Sequence, residues 1–209
     1  MNVSDFPITI IIIAVTVIYS LKGFKDANFQ YKWMFYPYRV HKNDEHYRFL
    51  THMFIHGDQM HLFFNMFVLF SFGRLMEMIL TYEYGTLLGS AYFIMLYFLG
   101  GLAAGLWPLA RNLDNSHYMS LGASGAVSAV LFASILWMPQ GGIYLMFIPF
   151  EIPAWLFGIL YLGFEFYMSK RGDTRVAHDA HFGGAVFGIV FILIINVSKA
   201  SEFINHVFS

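Results

Sequence analysis

Long apolar stretches alternate with short polar ones along the whole 209-residue chain. A helix needs roughly 17–25 mostly apolar residues to cross the hydrocarbon core of a bilayer. The pattern therefore predicts an all-α membrane protein in which residues 1–209 form one bundle of six transmembrane helices. The predicted spans are about residues 6–21, 59–80, 86–107, 121–138, 153–168 and 181–199.

The composition agrees with a protein that crosses the membrane several times. Hydrophobic residues make up 58% of the chain and charged residues only 12%, against about 25% charged in soluble domains. The absence of cysteine excludes disulfides and thiolate chemistry, and a net charge of -1 gives no reason to expect a nucleic-acid partner. Residues 44–56, within a polar and aromatic segment, are predicted to form a short amphipathic helix at the interface.

Polar side chains occur near the starts of three predicted spans. His61 and Asn65 lie four residues apart on one helix face, Ser124 follows a glycine-rich turn, and His181 opens the last span. Ionisable groups inside a bilayer are costly and are functional candidates by default. Spans 2, 4 and 6 run in the same direction, so these side chains are predicted to meet in one pocket.

A serine, a histidine and additional hydrogen-bond donors are the groups that acyl transfer requires. Ser124 is predicted to be the nucleophile and His181 its general base. His61, Asn65 and the Ser124 backbone N–H are predicted to stabilise the oxyanion. No acidic residue is obviously placed to orient the histidine, so the sequence predicts a dyad without metal or cofactor. His178, three residues earlier, is a rival for the general base. It is interpreted as a solvated loop residue, because the glycine face of span 6 follows His181 in register.

Small residues surround these candidates. Gly122 and Gly125 are predicted to allow a tight turn and close approach of a substrate backbone. Gly184 and Gly188 form a small face on span 6 that is predicted to pack closely on span 4. The expected partners on span 4 are Ala126, Ala129 and Ala133.

These motifs together resemble the rhomboid family of intramembrane serine proteases. The similarity includes GxSG at Gly122–Gly125, AHxxGxxxG from Ala180 through Gly184 to Gly188, HxxxN at His61 and Asn65, the pair Tyr47–Arg48, and Glu77. The resemblance implies a six-helix rhomboid-like fold with a water-filled cavity open to the extracytoplasmic side. It also implies a serine-type endopeptidase whose substrates are membrane proteins with an easily unwound transmembrane helix, a mobile cap at residues 170–179, and structural roles for Arg48 and Glu77.

One residue departs from the family pattern and keeps an alternative open. Many members carry a tyrosine one helical turn after the nucleophile, where it stacks on the catalytic histidine, but this chain has Ser128. The alternative is a non-proteolytic rhomboid-like protein that binds membrane clients. A further alternative, a metal enzyme using His52, His56 and His61, is disfavoured because His52 and His61 fall about half a turn apart on a helix. His52 and His56 are instead predicted to be structural residues that bond backbone carbonyls of the loop after span 1.

The distribution of basic residues conflicts with the orientation that the resemblance implies. Ten of the twelve Lys and Arg residues lie in the loops after spans 1, 3 and 5, and only Arg74 and Lys199 lie on the opposite side. Taken alone, the positive-inside rule puts the Ser124 side in the cytoplasm. We follow the resemblance and predict that the active site of this multi-pass protein faces the extracytoplasmic side.

Overall fold

The described chain is built almost entirely from helices. A computed structural model describes residues 7–144, 150–171 and 177–208. The elements are α1 Pro7–Lys25, α2 Ala27–Trp33, α3 Pro37–Asn43, α4 Arg48–Thr51, α5 Gln59–Val68, α6 Arg74–Tyr84, α7 Thr86–Arg111, α8 Ser124–Trp137, β1 Gly142–Ile143, β2 Ile152–Pro153, α9 Ala154–Arg171, α10 His178–Ile195 and α11 Ser198–Phe208. A π-helical turn, Leu69–Gly73, joins α5 to α6, and β1 and β2 form one short antiparallel pair.

The apolar helices match the predicted spans in order but differ at their ends. Helix α7 was predicted to end before Pro108, yet it includes this proline and continues to Arg111. Helix α8 begins only at Ser124, because Gly122 has φ +124°, a conformation that no α-helix contains. Helix α10 begins at His178, three residues before the predicted start, and α11 was not predicted as a separate helix.

Four helical segments among the described residues are long and apolar enough to cross a membrane. Helix α8 is a shorter apolar helix of 14 residues, which corresponds to about 21 Å at 1.5 Å per residue. The number of spans therefore stays a prediction. Helix α8 is also the centre of the bundle, because every residue from Gly125 to Trp137 is buried.

Helices α8 and α10 approach each other so closely that their backbones are in contact. A Cβ atom placed on Gly184 would lie 2.0 Å from the carbonyl oxygen of Gly125, and one on Gly188 would lie 2.1 Å from that of Ala129. The predicted close packing of spans 4 and 6 is therefore present. Ala126 was predicted to pack on span 6, but its Cβ faces Gly101 of α7.

Glu77 ties α6 to the start of α1. Its buried carboxylate accepts hydrogen bonds from the backbone N–H groups of Ile8 and Thr9, at 2.9 and 2.8 Å, and from the Thr9 hydroxyl at 2.6 Å. The first N–H groups of a helix have no partner within the helix. Glu77 therefore caps the beginning of the first span.

The segment between α1 and α5 is a set of short helices held together by one arginine. The single amphipathic helix predicted for residues 44–56 was wrong: α4 covers only Arg48–Thr51, followed by a 3-10 turn at His52–Phe54. Arg48 is fully buried and donates to the carbonyls of Tyr31 and Met34 and to the Glu45 carboxylate. These bonds use the planar, multi-donor guanidinium to close the segment on itself.

Candidate active site

The turn before Ser124 is fixed by the segment between α1 and α5, which we call the first loop, residues 26–58. Phe35 and Ser120 exchange backbone hydrogen bonds of 2.8 and 3.0 Å. The Gly122 N–H donates to the His52 carbonyl at 3.0 Å, and the Ala123 N–H donates to His56 Nε2 at 3.3 Å. Three anchors within four residues therefore set the position of Ser124.

Glycine is the only residue type that fits this turn at position 122. Its φ of +124° is strained for any residue with a side chain. A Cβ atom here would also lie 2.7 Å from Cε1 of His61. The glycine therefore serves both the turn and the close placement of the His61 ring.

His56 has an assigned tautomer because each ring nitrogen has a defined partner. Nε2 accepts from Ala123, so Nδ1 carries the proton and donates to the Ser20 hydroxyl at 3.0 Å. Ser20 in turn donates to the Phe54 carbonyl at 3.1 Å. His52 and His56 were predicted to bond carbonyls of the first loop, and His56 instead bonds the turn that precedes Ser124.

Burial keeps His52 and His56 neutral. It lowers the pKa of His56 to about 3, and the charge of nearby His61 adds to this effect. Burial likewise lowers the pKa of His52 to about 4. Because both nitrogens of His56 are engaged in hydrogen bonds, His52, His56 and His61 do not form a metal site among the described residues.

Acid is expected to destabilise the protein through these histidines. Their folded-state pKa values lie below the unfolded value of about 6.5, so the unfolded chain binds more protons as the pH falls from 6.5 towards 4. Each group then lowers the free energy of unfolding by about 1.4 kcal/mol per pH unit. Thermal unfolding of purified protein between pH 7.5 and 4.5 measures this slope.

The variant His56→Gln is expected to lose part of that pH slope, since glutamine does not titrate. His46→Gln, at an exposed position in the same loop, is the matched control. A slope that is identical in wild type and His56→Gln would contradict the prediction.

The predicted catalytic residues line one cavity of about 700 Å³ at the N-terminal ends of α5, α8 and α10. Ser124, His181, His61 and Asn65 all contribute to its wall. Among the described residues, no hydrogen bond joins Ser124 Oγ to the His181 ring, and the Asn65 amide donates to the His61 carbonyl at 2.9 Å. The cavity thus collects a hydroxyl, two imidazoles and an amide around one space.

The backbone N–H groups of residues 122–124 have two different roles at this site. The Gly122 and Ala123 N–H groups are already bonded to the first loop. Ser124 is the first residue of α8, so its N–H has no partner within the helix. A helix N-terminus also favours negative charge, which makes this N–H suitable for an oxyanion.

An acidic residue that was not predicted from the sequence lies next to His181. Glu165 of α9 lies with Oε1 3.2 Å from Nδ1 of His181 and Oε2 2.6 Å from Nδ1 of His178. The expectation that no acid is placed beside the histidine was therefore wrong. The interpretation of His178 as a solvated loop residue was also wrong, because it is buried in the first turn of α10.

Another helix contributes a tyrosine next to Ser128. Tyr161 of α9 lines the cavity together with Ser128, and its hydroxyl interacts with the Ser128 side chain and with the Glu165 carboxylate. Tyr161 lies one helical turn before Glu165. An aromatic ring is thus present near the position where the family pattern has tyrosine, although it comes from α9. Part of the predicted cap, residues 172–176, lies outside the described residues.

A family model for the rhomboid domain matches residues 43–197, which include all the residues lining the cavity. The chain belongs to the rhomboid family. As a rhomboid with several long apolar helices, it is an integral membrane protein. The family includes intramembrane serine proteases, which act on membrane proteins within the lipid bilayer.

Two mitochondrial rhomboid-like proteins and one rhomboid protease are similar to this chain. It is 31% identical over 151 residues to RHOMBOID-like protein 12, mitochondrial, of Arabidopsis thaliana, and 29% identical over 154 residues to Presenilin-associated rhomboid-like protein, mitochondrial, of Homo sapiens. These matches cover 68% of this chain but only 44% and 36% of the two relatives. Rhomboid protease GlpG of Haemophilus influenzae is 26% identical over 188 residues, or 88% of each chain.

Proposed function

We propose that this rhomboid is an intramembrane serine endopeptidase that uses Ser124 and His181. The observation that carries the proposal is that Ser124, His181, His61 and Asn65 line one cavity. Their polar groups are the set that acyl transfer to a serine needs. Similarity to a relative named as a protease, over 88% of both chains, supports the same conclusion.

In the proposed reaction, Ser124 Oγ attacks the scissile carbonyl while His181 Nε2 takes the hydroxyl proton. The oxyanion accepts hydrogen bonds from the Ser124 N–H and from the His61 and Asn65 side chains. His181 then gives the proton to the leaving amine, and the amide bond breaks. A water molecule, deprotonated by the same imidazole, hydrolyses the acyl-enzyme and releases Ser124.

The proposed substrates are membrane proteins whose transmembrane helix unwinds easily. A scissile carbonyl must come within about 3 Å of the oxyanion donors, and a carbonyl inside an intact helix is already hydrogen-bonded and shielded. Apolar side chains such as Phe64, Val68 and Phe157 line the same cavity and suit an apolar segment that has left the lipid. This chemistry needs no cofactor.

We test this proposal by labelling the purified protein with a fluorophosphonate probe, which reacts with activated serine hydroxyls. The wild type is expected to be labelled, while Ser124→Ala is expected to remain unlabelled at the same concentration. Labelling of Ser124→Ala at the wild-type level would show that another group reacts and would contradict the assignment.

The second candidate is a rhomboid that binds membrane clients without cutting them. Two observations favour it: Ser128 replaces the usual tyrosine, and no hydrogen bond joins Ser124 Oγ to His181 in the described part of the chain. Binding of a membrane protein without probe labelling or cleavage would support this candidate and reject the protease.

We propose further that the cavity faces the extracytoplasmic side, in spite of the charge distribution. The chain has no cysteine, so single, nearly isosteric Ser116→Cys and Ser201→Cys variants report the two ends of the bundle. Both positions are exposed. In intact cells, a membrane-impermeant maleimide is expected to label Ser116→Cys but to label Ser201→Cys only after permeabilisation. The reverse pattern would put the active site in the cytoplasm.

A further inference from the structure

Three side chains from two helices, two of them buried and one partly exposed to the cavity, form a cluster beside the proposed active site. Glu165 of α9 is almost completely buried and lies between two histidines of α10, His178 and His181. The histidines are three residues apart, so they share one helix face. Both present Nδ1 to the same carboxylate, with one oxygen for each ring.

The contact with Glu165 determines which nitrogen of His181 faces the reaction. An ionised carboxylate can only accept hydrogen bonds, so the Nδ1 atom of each histidine carries the proton. In His181 this leaves Nε2 without a proton and able to accept one from Ser124. The other neutral tautomer would carry its proton on Nε2 and could not act as a base towards the serine.

His178 holds the carboxylate in place. Its contact with Glu165, at 2.6 Å, is the shorter of the two, and the edge of its ring packs on Phe164 with centroids 5.7 Å apart. A carboxylate fixed at one oxygen presents its second oxygen in a defined direction. His178 therefore restricts the position from which Glu165 contacts His181.

The same three residues could in principle hold a metal, since their ligand atoms lie within 4.8 Å of one another. The distances favour hydrogen bonds. Two ligands at about 2.0–2.1 Å from one tetrahedral zinc are about 3.3 Å apart, whereas Glu165 and His178 are separated by 2.6 Å. This value is a hydrogen-bond length.

We propose that Glu165 is a positioning residue that keeps His181 in the tautomer and orientation needed to accept the proton of Ser124, and that His178 anchors Glu165. The proposal rests on the proposed protease function. Ser124, His181 and Glu165 then form a chain of three hydrogen-bonding groups during proton transfer, and the acid comes from α9.

The first test compares Glu165→Gln with wild type in the cleavage of a transmembrane substrate. Replacing the acid of a serine-protease triad with its amide lowers kcat by as much as about 10⁴-fold. For Glu165→Gln we expect kcat to fall by at least about 10-fold with little change in KM. Glu151→Gln, at an exposed position, is the matched control and should retain wild-type kcat.

A second readout separates positioning from a merely structural role. In ¹⁵N NMR spectra of histidine-labelled protein, His181, assigned by its loss in His181→Gln, is expected to show a protonated Nδ1. In Glu165→Gln the amide can donate to Nδ1, so the signal is expected to move towards the Nε2-protonated tautomer. The thermal midpoint of the variant should stay close to that of wild type.

The outcomes distinguish this proposal from the proposed function. If the kcat of Glu165→Gln falls by less than about 10-fold, or if the His181 tautomer does not change, the positioning role is rejected while the protease remains. If the wild type neither cleaves nor reacts with the probe, the protease is rejected, and the NMR result still decides whether Glu165 sets the tautomer. A Glu165→Gln protein that unfolds is replaced by His178→Asn, for which a smaller fall in kcat is expected and an unchanged kcat would count against the anchor.

Discussion

Replacing Ser124 with alanine, or His181 with alanine, is expected to abolish cleavage of a transmembrane substrate. Ser124→Ala removes the atom that attacks the carbonyl, and His181→Ala removes the only imidazole that can take its proton in the proposed reaction. Loss of a nucleophile or its base in a serine protease lowers kcat by about 10⁶-fold. Such a loss leaves no product detectable on a gel or by mass spectrometry.

The double variant Ser124→Ala/His181→Ala is expected to be no worse than either single variant, because residues that act as one unit are not additive. Ser134→Ala is a matched control on the same helix, where the hydroxyl donates to the Val130 carbonyl at 2.9 Å and does not line the cavity. All variants should keep the wild-type thermal midpoint. Cleavage by Ser124→Ala at the wild-type rate would end the proposal.

Replacing Gly184 with valine is expected to cause the largest loss of stability of any single change considered. The added Cβ would lie 2.0 Å from the Gly125 carbonyl oxygen. Neither atom can rotate away, because the Cβ position is fixed by the backbone of α10 and the oxygen belongs to the backbone of α8. Helices α8 and α10 must separate by more than about 1 Å to restore normal contact. Overpacking typically costs about 1–3 kcal/mol, and a backbone clash costs more.

The same separation moves His181 away from Ser124, so activity is expected to disappear even in the fraction that folds. Thermal unfolding and probe labelling of the folded fraction measure the two effects independently. Gly163→Ala is the control, because a Cβ at this exposed position of α9 has no neighbour within 4 Å. It should be neutral or slightly stabilising, since alanine favours a helix over glycine by about 1 kcal/mol. A Gly184→Val protein as stable as wild type would contradict the packing argument.

The sequence predicted the order and type of the main helices because apolar length is a strong signal in a membrane protein. It predicted the ends less well. Pro108 was interpreted as a helix end, yet α7 continues to Arg111. The proline removes one hydrogen bond and crowds the carbonyl four residues earlier, and the helix continues for three residues in spite of this cost. The late start of α8 depends on the positive φ of Gly122, which a pattern of apolar residues does not reveal.

The arrangement of the candidate site was partly predictable. The parallel direction of alternate spans was enough to expect Ser124, His181 and His61 around one pocket. Glu165 was missed, although a usable signal was present: it is an ionisable residue within the apolar run predicted for residues 153–168. The principle that flagged His61 and His181, the cost of ionisable groups in a bilayer, applies equally to Glu165.

The partners of the first-loop histidines could not have been predicted. His56 and Ala123 are 67 residues apart, and their bond exists only because the first loop packs on the turn before Ser124. The predicted structural role of His56 is correct, but its partner is the Ala123 N–H and not a carbonyl of the first loop. Non-local pairing of this sort depends on the tertiary structure and has no local pattern.

The three anchors between the first loop and the turn before Ser124 have a consequence for protein engineering. Ser120, Gly122 and Ala123 depend on acceptors and donors supplied by residues 35, 52 and 56. A chimera that exchanges one of these segments with that of a relative separates hydrogen-bond partners that fit each other in this structure. Exchanges are therefore best made by transplanting both segments as a single unit, even though more than 60 residues of sequence lie between them.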